Sequence, residues 1–493
     1  ITTLDSNLQS IAEETVSKYA TTNKDKYKAA NASLVAIDPK TGDLLALVGS
    51  KDYFNIADEG NFNVAAKGLR QPGSTIKPFA YFTAFKKGYT PATIVFDVPT
   101  EFDTSGNPEK SYRPHNFTNR FRGPVTFKEA LAESINIPSV KVLYLGGIDE
   151  TLKTAEDFGL KTLKDRRRYG LSLVLGGGEI KLTDLVQAYS VFAAEGIKHK
   201  QSVILKVEDG EGKILEEYAD AAKKVADTEL TRLINQILSD IDLRRNLFSN
   251  SLNLTVFEGR EVALKTGTTN DYVDAWAIGY TPSLVTGVWA GNNHREPMKP
   301  QASSILAAIP IWSSFMNEVL KNYSLETFTR PEPLSYPNNK PVLIGQLENP
   351  LHDILYYVDK DNPWGPAPSD PASDPQFINW ENGVAEWLQN PENKIGLPAN
   401  KPSIISLSPK NGGFISSSFD VAAVVSSASP IRQIDLYLND SLINQKFNPP
   451  SREGNLYEYS YSISRNLNLQ NKINLRVTDI SGDTGEKEII VFR

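Results

Sequence analysis

Gln71-Pro72-Gly73-Ser74-Thr75-Ile76-Lys77-Pro78 places a hydroxyl and an amine three residues apart at a marked helix start. A serine hydroxyl is a weak nucleophile until a base takes its proton. A lysine can be that base when burial or a second cation lowers its pKa. A spacing of three sets both side chains on one helical face. Pro72-Gly73 supplies a turn. Pro78 limits where the helix begins, because proline is tolerated only in the first turn, where its missing N–H has no partner to lose. The spacing therefore predicts a helix from about Ser74. Its free N–H groups and dipole would favour negative charge developing at the serine. No other S-x-x-K occurs in the chain.

Two further clusters carry usable chemistry. Lys265-Thr266-Gly267-Thr268 ends the apolar run Val262-Ala263-Leu264. A glycine there lets a ligand or another backbone come close. Lys265 offers a fixed positive charge, and Thr266 and Thr268 offer hydroxyls to an anionic carboxylate. A second K-T-G, Lys40-Thr41-Gly42, lies in an Asp38-Pro39-Lys40-Thr41-Gly42-Asp43 turn and reads as hairpin geometry. An S-x-N triplet is a third and weaker pattern. Its occurrences include Ser134-Ile135-Asn136, Ser251-Leu252-Asn253 and Ser464-Arg465-Asn466. Ser464 falls in a strand-rich tail and is set aside. Ser134 follows a helical run over 127–133 and precedes Pro138. Ser251 sits in a polar stretch, 246–253, close to a strand. Both stay open on the residues alone.

The elements that must position these groups can be read from periodicity. Residues 5–20 form a short amphipathic helix with Leu8, Ile11 and Val16 on one side. Strands follow at 32–37 and 44–48. A mostly helical stretch runs from 74 to 196; Leu182, Leu185, Val186, Tyr189 and Phe192 recur at helical spacing before Gly196. Strands return at 262–268, 275–280 and 284–290. This order predicts an α+β fold, with helices packed on an antiparallel sheet. Residues 330–402 are rich in Pro, Asn and Asp and read as an irregular extension or linker. Short alternating runs from 403 onward predict a small β-sandwich.

Composition narrows the chemistry. Among 493 residues, 40% are hydrophobic and 23% charged, and the net charge is −7. Such a chain is long enough for two or three domains. Its acidity argues against a nucleic-acid partner. With no cysteine, thiolate catalysis and thiolate zinc sites are excluded. His115, His199, His294 and His352 lack metal-ligand spacing, and no glycine pattern of a nucleotide site is present. Neither metal nor cofactor is expected. No apolar run has the 18 or so residues that would span a bilayer. The opening Ile1-Thr2-Thr3-Leu4-Asp5 has no initiator Met and reads as a piece of a longer protein.

The three motifs in this order resemble the signature of serine β-lactamases and penicillin-binding proteins. The context resembles the transpeptidase domain of class A, bifunctional penicillin-binding proteins. Arg70-Gln71-Pro72-Gly73-Ser74-Thr75-Ile76-Lys77-Pro78-Phe79 carries that likeness. So do Gly123-Pro124-Val125-Thr126, Glu129-Ala130-Leu131-Ala132-Glu133-Ser134-Ile135-Asn136-Ile137-Pro138, Leu175-Gly176-Gly177-Gly178-Glu179-Ile180 and Asp274-Ala275-Trp276. The likeness selects Ser134 over Ser251 and spans roughly residues 1–325.

It implies that Ser74 attacks the D-Ala-D-Ala end of a peptidoglycan stem peptide, with Lys77 as base. It implies that Ser134 relays a proton to the leaving amine, and that Asn136 orients Lys77 and the substrate amide. Lys265, Thr266, Gly267 and Thr268 bind the terminal carboxylate, and the Ser74 and Thr268 N–H groups form an oxyanion hole. Lys265 would also depress the pKa of Lys77 by like-charge repulsion. Implied partners are donor and acceptor stem peptides, β-lactams, and a membrane reached through an anchor outside this sequence. The implied location is the outer face of a bacterial cell membrane. The expected organisation is a linker helix (1–30), the transpeptidase domain (31–325), an extension or linker (326–401) and a β-rich module (402–493), whose role reads as a spacer or a binding module. Two rival functions remain: a carboxypeptidase or β-lactamase that uses water as acceptor, and a non-catalytic penicillin-binding sensor or scaffold.

Overall fold

A computed structural model describes residues 1–300, 302–390, 393, 401–451, 455–465 and 467–493. The elements that matter for the site run in this order: α1 (Ser6–Tyr27), β1 (Asn31–Ile37), β2 (Leu44–Val48), α2 (Lys77–Lys86), β3 (Ile94–Asp97), β4 (Gly123–Thr126), α3 (Phe127–Ala132), α4 (Asn136–Gly146), α5 (Leu182–Ala193), α6 (Thr228–Ser239), β5 (Ala263–Thr268), β6 (Asp274–Thr281), β7 (Leu284–Gly291), α7 (Ile309–Val319) and α8 (Phe377–Gln389). The chain divides into two compact units. One is Ile1–Ser249 with Gly259–Asn393; the other is Asn250–Glu258 with the described residues of Lys394–Arg493.

The first unit is α+β. Its main sheet is antiparallel, in the order β2-β1-β7-β6-β5. Every residue of β6 and β7 is buried, so their near-continuous apolar runs reflect a sheet covered on both faces. Side chains alternate between faces along a strand. Ile278 pairs with Gly287, so Gly279 points the other way. Val186 of α5 lies over Gly287, and Trp312 of α7 lies over Gly279. One apolar cluster joins the sheet, α2, α4, α5 and α6.

Two elements depart from the periodicity. Helix α1 begins where expected, because the Asp5 carboxylate accepts the N–H groups of Asn7 and Leu8. It continues to Tyr27 although its last turns have no apolar face. Asn23 is buried there and donates to the Ala307 carbonyl at 2.8 Å, and Lys28 closes the helix in the left-handed region. The helix expected from Ser74 starts instead at Lys77; Ser74 lies in a preceding 3₁₀ turn, Gly73–Ile76. Pro78 is then the second helical residue and loses nothing. A helix begun at Ser74 would have put proline where the first intrahelical N–H is needed. Helix α3 is short but well closed, with a capping box between Thr126 and Glu129.

Residues 326–390 pack within the first unit and contribute α8; the far end of the 326–401 stretch, 391–392 and 394–400, lies outside the described residues. Trp380 of α8 is fully buried and packs edge-on to Phe102 and Tyr144. Asp353 meets Lys141 of α4 at 2.5 Å, and both are buried; Lys141 also donates to the Phe96 carbonyl of β3 at 2.8 Å. Apart from a 3₁₀ segment within Ser249–Thr255, the second unit is built of β-strands. One sheet holds Ser403–Ser408, Ser418–Ser426 and Leu456–Ser464. The other holds Ser441–Phe447, Ile431–Leu438, Gln470–Asp479 and Thr484–Phe492. Their inward-facing residues, among them Val421, Ile434, Tyr459 and Val477, form its own core. Of the set-aside triplet Ser464-Arg465-Asn466, Asn466 lies outside the described residues.

Removing one partner of a buried ion pair strands the other charge, which costs about 3–5 kcal/mol. Asp353→Ala should therefore lower the unfolding free energy by about that amount, whereas Asp353→Leu with Lys141→Met should lose much less. Denaturant unfolding of the two variants beside the wild type checks this.

Candidate active site

The turn that carries Ser74 is held on three sides. Tyr189 of α5 donates to the Thr75 carbonyl at 2.6 Å, and the Trp276 indole of β6 donates to the Gln71 carbonyl at 2.8 Å. Arg70 and Ile180 exchange backbone hydrogen bonds. Two glycines let this turn press against its neighbours. A Cβ on Gly267 of β5 would lie 2.4 Å from the Pro72 carbonyl oxygen, and one on Gly176 would lie 2.5 Å from the Gly73 Cα. Neither distance is tolerable, and Gly176 is also in the left-handed region, at φ +98°. Gly176, the first of the Gly-Gly-Gly run, is thus a packing device under the serine turn.

The second motif is built by a helix-to-helix junction. Helix α3 ends at Ala132, with Glu133 as its C-cap. Ser134 takes the left-handed conformation, φ +60°, and α4 begins at Asn136. A non-glycine residue held there costs roughly 1–3 kcal/mol. The junction presents the Ser134 carbonyl and hydroxyl and the Asn136 side chain toward one point. That point is the Lys77 ammonium, which is completely buried. Lys77 Nζ donates to the Ser134 carbonyl at 2.7 Å, Asn136 Oδ1 at 2.8 Å and the Ile135 carbonyl at 3.3 Å, and reaches Ser134 Oγ at 3.5 Å.

Lys265 of β5 reaches the same hydroxyl. Its Nζ donates to Ser134 Oγ and to the Thr266 carbonyl, each at 2.8 Å. Thr268 Oγ1 accepts the Ser304 N–H at 2.9 Å and pairs with Ser304 Oγ at 3.1 Å.

These groups edge a cleft of about 680 Å³ within the first unit, lined by Ser74, Ser134, Asn136, Thr266, Gly267 and Thr268 among others. Among the described residues, Ser74 Oγ makes no hydrogen bond. Lys77 turns its amine to the 134–136 junction instead. The rival Ser251-Leu252-Asn253 belongs to the other unit.

The electrostatics follow from burial. Burial holds Lys77 well below the ordinary lysine range; the Lys265 charge pushes the same way, and the Asp97 carboxylate opposes both. Burial alone brings Lys265 down to about 7. Asp97, fully buried on β3, has its carboxyl raised by that burial, against a hydrogen bond from Asn116. Asp97, Asn116, Glu133 and Arg122 also line the cleft, and motif reasoning does not find them. Glu133 pairs with Arg122 and accepts from Asn246. Among the described residues, no group of His, Asp or Glu side chains is placed to hold a metal ion.

A family model described as the penicillin binding protein transpeptidase domain matches residues 32–316. A curated "Penicillin-binding protein 1A" of Aquifex aeolicus is 37% identical over 300 residues, 61% of this chain and 39% of that protein. "Penicillin-binding protein 2D" of Bacillus subtilis is 33% identical over 337 residues, 67% of this chain and 46% of that protein. The chain thus spans less than half the length of either relative. Among solved structures, PonA1 of Mycobacterium tuberculosis in complex with penicillin V is similar with a TM-score of 0.58 and 26% identity. That likeness covers 68% of this chain and 89% of the other.

The lowered Lys265 pKa has a measurable consequence. Between about 7 and its ordinary 10.5, the unfolded chain holds a proton that the folded chain lacks. Rising pH therefore favours folding across that window, and the penalty is present in full below it. Lys265→Met should be stabilised relative to the wild type most at about pH 6 and progressively less toward about pH 10, with a slope of at most about 1.4 kcal/mol per pH unit. Urea unfolding at stepped pH measures the difference.

Proposed function

This chain belongs to the penicillin-binding protein transpeptidase domain family, and we propose that it cross-links peptidoglycan stem peptides as a D,D-transpeptidase through an acyl-enzyme on Ser74. Neutral Lys77 takes the Ser74 hydroxyl proton as the Oγ–carbon bond forms at the penultimate D-Ala carbonyl. The oxyanion is met by the Ser74 and Thr268 N–H groups; packing of the Gly73 turn against Thr268 supports that pairing. The carbon–nitrogen bond then breaks. Ser134, hydrogen-bonded to Lys265, delivers its proton to the departing D-Ala amine and takes up the one Lys77 holds, which leaves Lys77 neutral again. The amine of a second stem peptide attacks the ester and gives up a proton to Lys77, and Lys77 returns it to Ser74 Oγ as the ester bond breaks. Lys265, Thr266 and Thr268 receive the donor's terminal carboxylate.

The observation that carries this reading is Lys77: a buried amine, three residues from a serine hydroxyl that has no hydrogen-bond partner among the described residues, and depressed by its surroundings toward the neutral form. A base must be unprotonated at working pH to act.

β-Lactams, as mimics of the D-Ala-D-Ala end, would acylate Ser74; the relative solved with penicillin V supports that. The relatives are penicillin-binding proteins, so the proposed place of action is the cell envelope, outside the cytoplasmic membrane. No helix among the described residues is long and apolar enough to cross a membrane. The β-rich module is proposed as a spacer or wall-binding attachment.

The test uses a thioester mimic of the stem-peptide end with a D-amino acid as acceptor. Wild type should give amide product, and Ser74→Ala should lose at least ~10⁴-fold. Product acid in spite of the acceptor would make the protein a hydrolase. Absence of any covalent adduct would overturn the catalytic reading.

A further inference from the structure

Helix α4 begins at Asn136 without a cap of its own. Ile135 before it offers no side-chain hydrogen bond, yet the first N–H groups of a helix have no partner inside it. Asn116, far upstream in a loop, supplies one. Its Oδ1 accepts the Asn136 N–H at 3.1 Å and the Ile137 N–H at 3.2 Å. Its Nδ2 donates to Asp97 Oδ1 at 2.7 Å and to the Arg120 carbonyl at 2.8 Å.

Both donors and both acceptor positions of the amide are used, which determines its orientation. Turned over, it would set its NH₂ against two N–H groups and its oxygen against a carboxylate and a carbonyl. Asp97 is itself fixed, since its Oδ2 accepts the Arg122 N–H at 3.1 Å and it is fully buried. The neighbouring residue holds the other end of Asn136: the His115 carbonyl accepts from Asn136 Nδ2 at 2.8 Å. With that contact made, Asn136 Oδ1 is left facing Lys77 Nζ at 2.8 Å.

We propose that Asn116 and Asp97 are positioning residues for acylation: Asn116 caps α4 from outside the helix, and Asp97 locks the Asn116 amide, so that Asn136 Oδ1 stays on Lys77 Nζ. The proposal rests on the reading of Ser74 and Lys77 given above. It separates these residues from a cap that serves only the fold. Such a cap would change how much protein is folded and leave the folded fraction's acylation rate alone. A positioning cap changes the rate at saturation, because misplacing a catalytic group by a fraction of an ångström is felt in the chemical step.

The test labels the chain, residues 1–493, with a fluorescent penicillin. It measures the saturating acylation rate, the half-saturating concentration and the thermal unfolding midpoint. Variants are Ser74→Ala, Asn116→Ala, Asn116→Asp, and Asn116→Asp combined with Asp97→Asn. Asn116→Ala should slow the saturating rate about ten- to a hundredfold while half-saturation stays within about twofold. Asn116→Asp sets two carboxylates together and should be at least as slow. The exchanged pair, with the amide at 97 and the carboxylate at 116, removes that repulsion but leaves the Arg120 carbonyl without its donor, so it should recover part of the lost rate and label faster than Asn116→Asp.

An unchanged saturating rate in Asn116→Ala overturns the proposal. So does a loss that only tracks the folded fraction, or an exchanged pair no faster than Asn116→Asp. If Asn116→Ala does not fold, Asn116→Ser, whose hydroxyl still accepts one N–H, is held to the same criteria. If the wild type forms no Ser74-dependent adduct, the transpeptidase reading falls and this proposal falls with it. A wild type that acylates beside an unaffected Asn116 variant removes this proposal alone.

Discussion

Two lysine amines converge on one serine hydroxyl inside the protein, and much of the first unit serves to keep them there. Lys77 and Lys265 both reach Ser134, and among the described residues neither has a carboxylate within hydrogen-bonding distance. Unit charges about 4 Å apart repel by about 4 kcal/mol at an effective dielectric constant of 20. Desolvation adds to this, since burying an ammonium without a counter-ion is costly. The cheapest release is to give up a proton. Burial, the largest cause of the shift at both lysines, and the mutual repulsion that adds to it at Lys77 are thus consequences of one arrangement. Asp97 is the nearby anion that moderates it.

Holding that arrangement needs close approach between elements distant in sequence. The turn with Ser74 belongs to the helical half, Lys265 to the sheet, and Ser134 to a junction of two helices. Helix α2 runs through the apolar cluster, which keeps the Lys77 stem dry. Gly176 and Gly267 remove the side chains that would separate the serine turn from β5. Ser134 accepts a left-handed backbone so that its carbonyl and hydroxyl both face inward. Helix α4 is pinned at two places beside β3, through Asn116 and Asp97 at its start and through Lys141, Phe96 and Asp353 further along.

Sequence reasoning reaches the parts of this that are local. The strands of the main sheet and helix α5 follow from apolar periodicity, and the α+β class follows from their order. The three motifs are readable because each is a few contiguous residues, and the structure brings them to one cleft. Other features depend on partners far along the chain. The last turns of α1 are polar and rest on Asn23 reaching Ala307. Asn116, within Arg113-Pro114-His115-Asn116-Phe117, has no local pattern marking it as a helix cap. Asp353 and Trp380 sit in a Pro- and Asn-rich stretch whose composition says loop, while their burial against α4 and Phe102 is set by tertiary contact alone. The shift of the helix start from Ser74 to Lys77 is smaller in kind: Pro78 restricts the start to its own first turn, and the 3₁₀ turn before it takes up the difference.

The four oxygens around Lys77 bear on how the amine could act. Three donors of an ammonium suit the Ser134 carbonyl, Asn136 Oδ1 and the Ile135 carbonyl together. A neutral amine has only two N–H bonds and a lone pair. The two shortest contacts, at 2.7 and 2.8 Å, would take the two N–H bonds, and the contact at 3.3 Å would be released. The lone pair is then free to face the Ser74 hydroxyl, which has no other hydrogen bond among the described residues. Protonation and aim are therefore coupled: the form with the pKa to act as base is also the form with an orbital to spare for it. In the proposed reaction the junction at 134–136 does more than bind Lys77. By offering two near acceptors and one distant one, it would satisfy both N–H bonds of the neutral amine and leave its lone pair unclaimed.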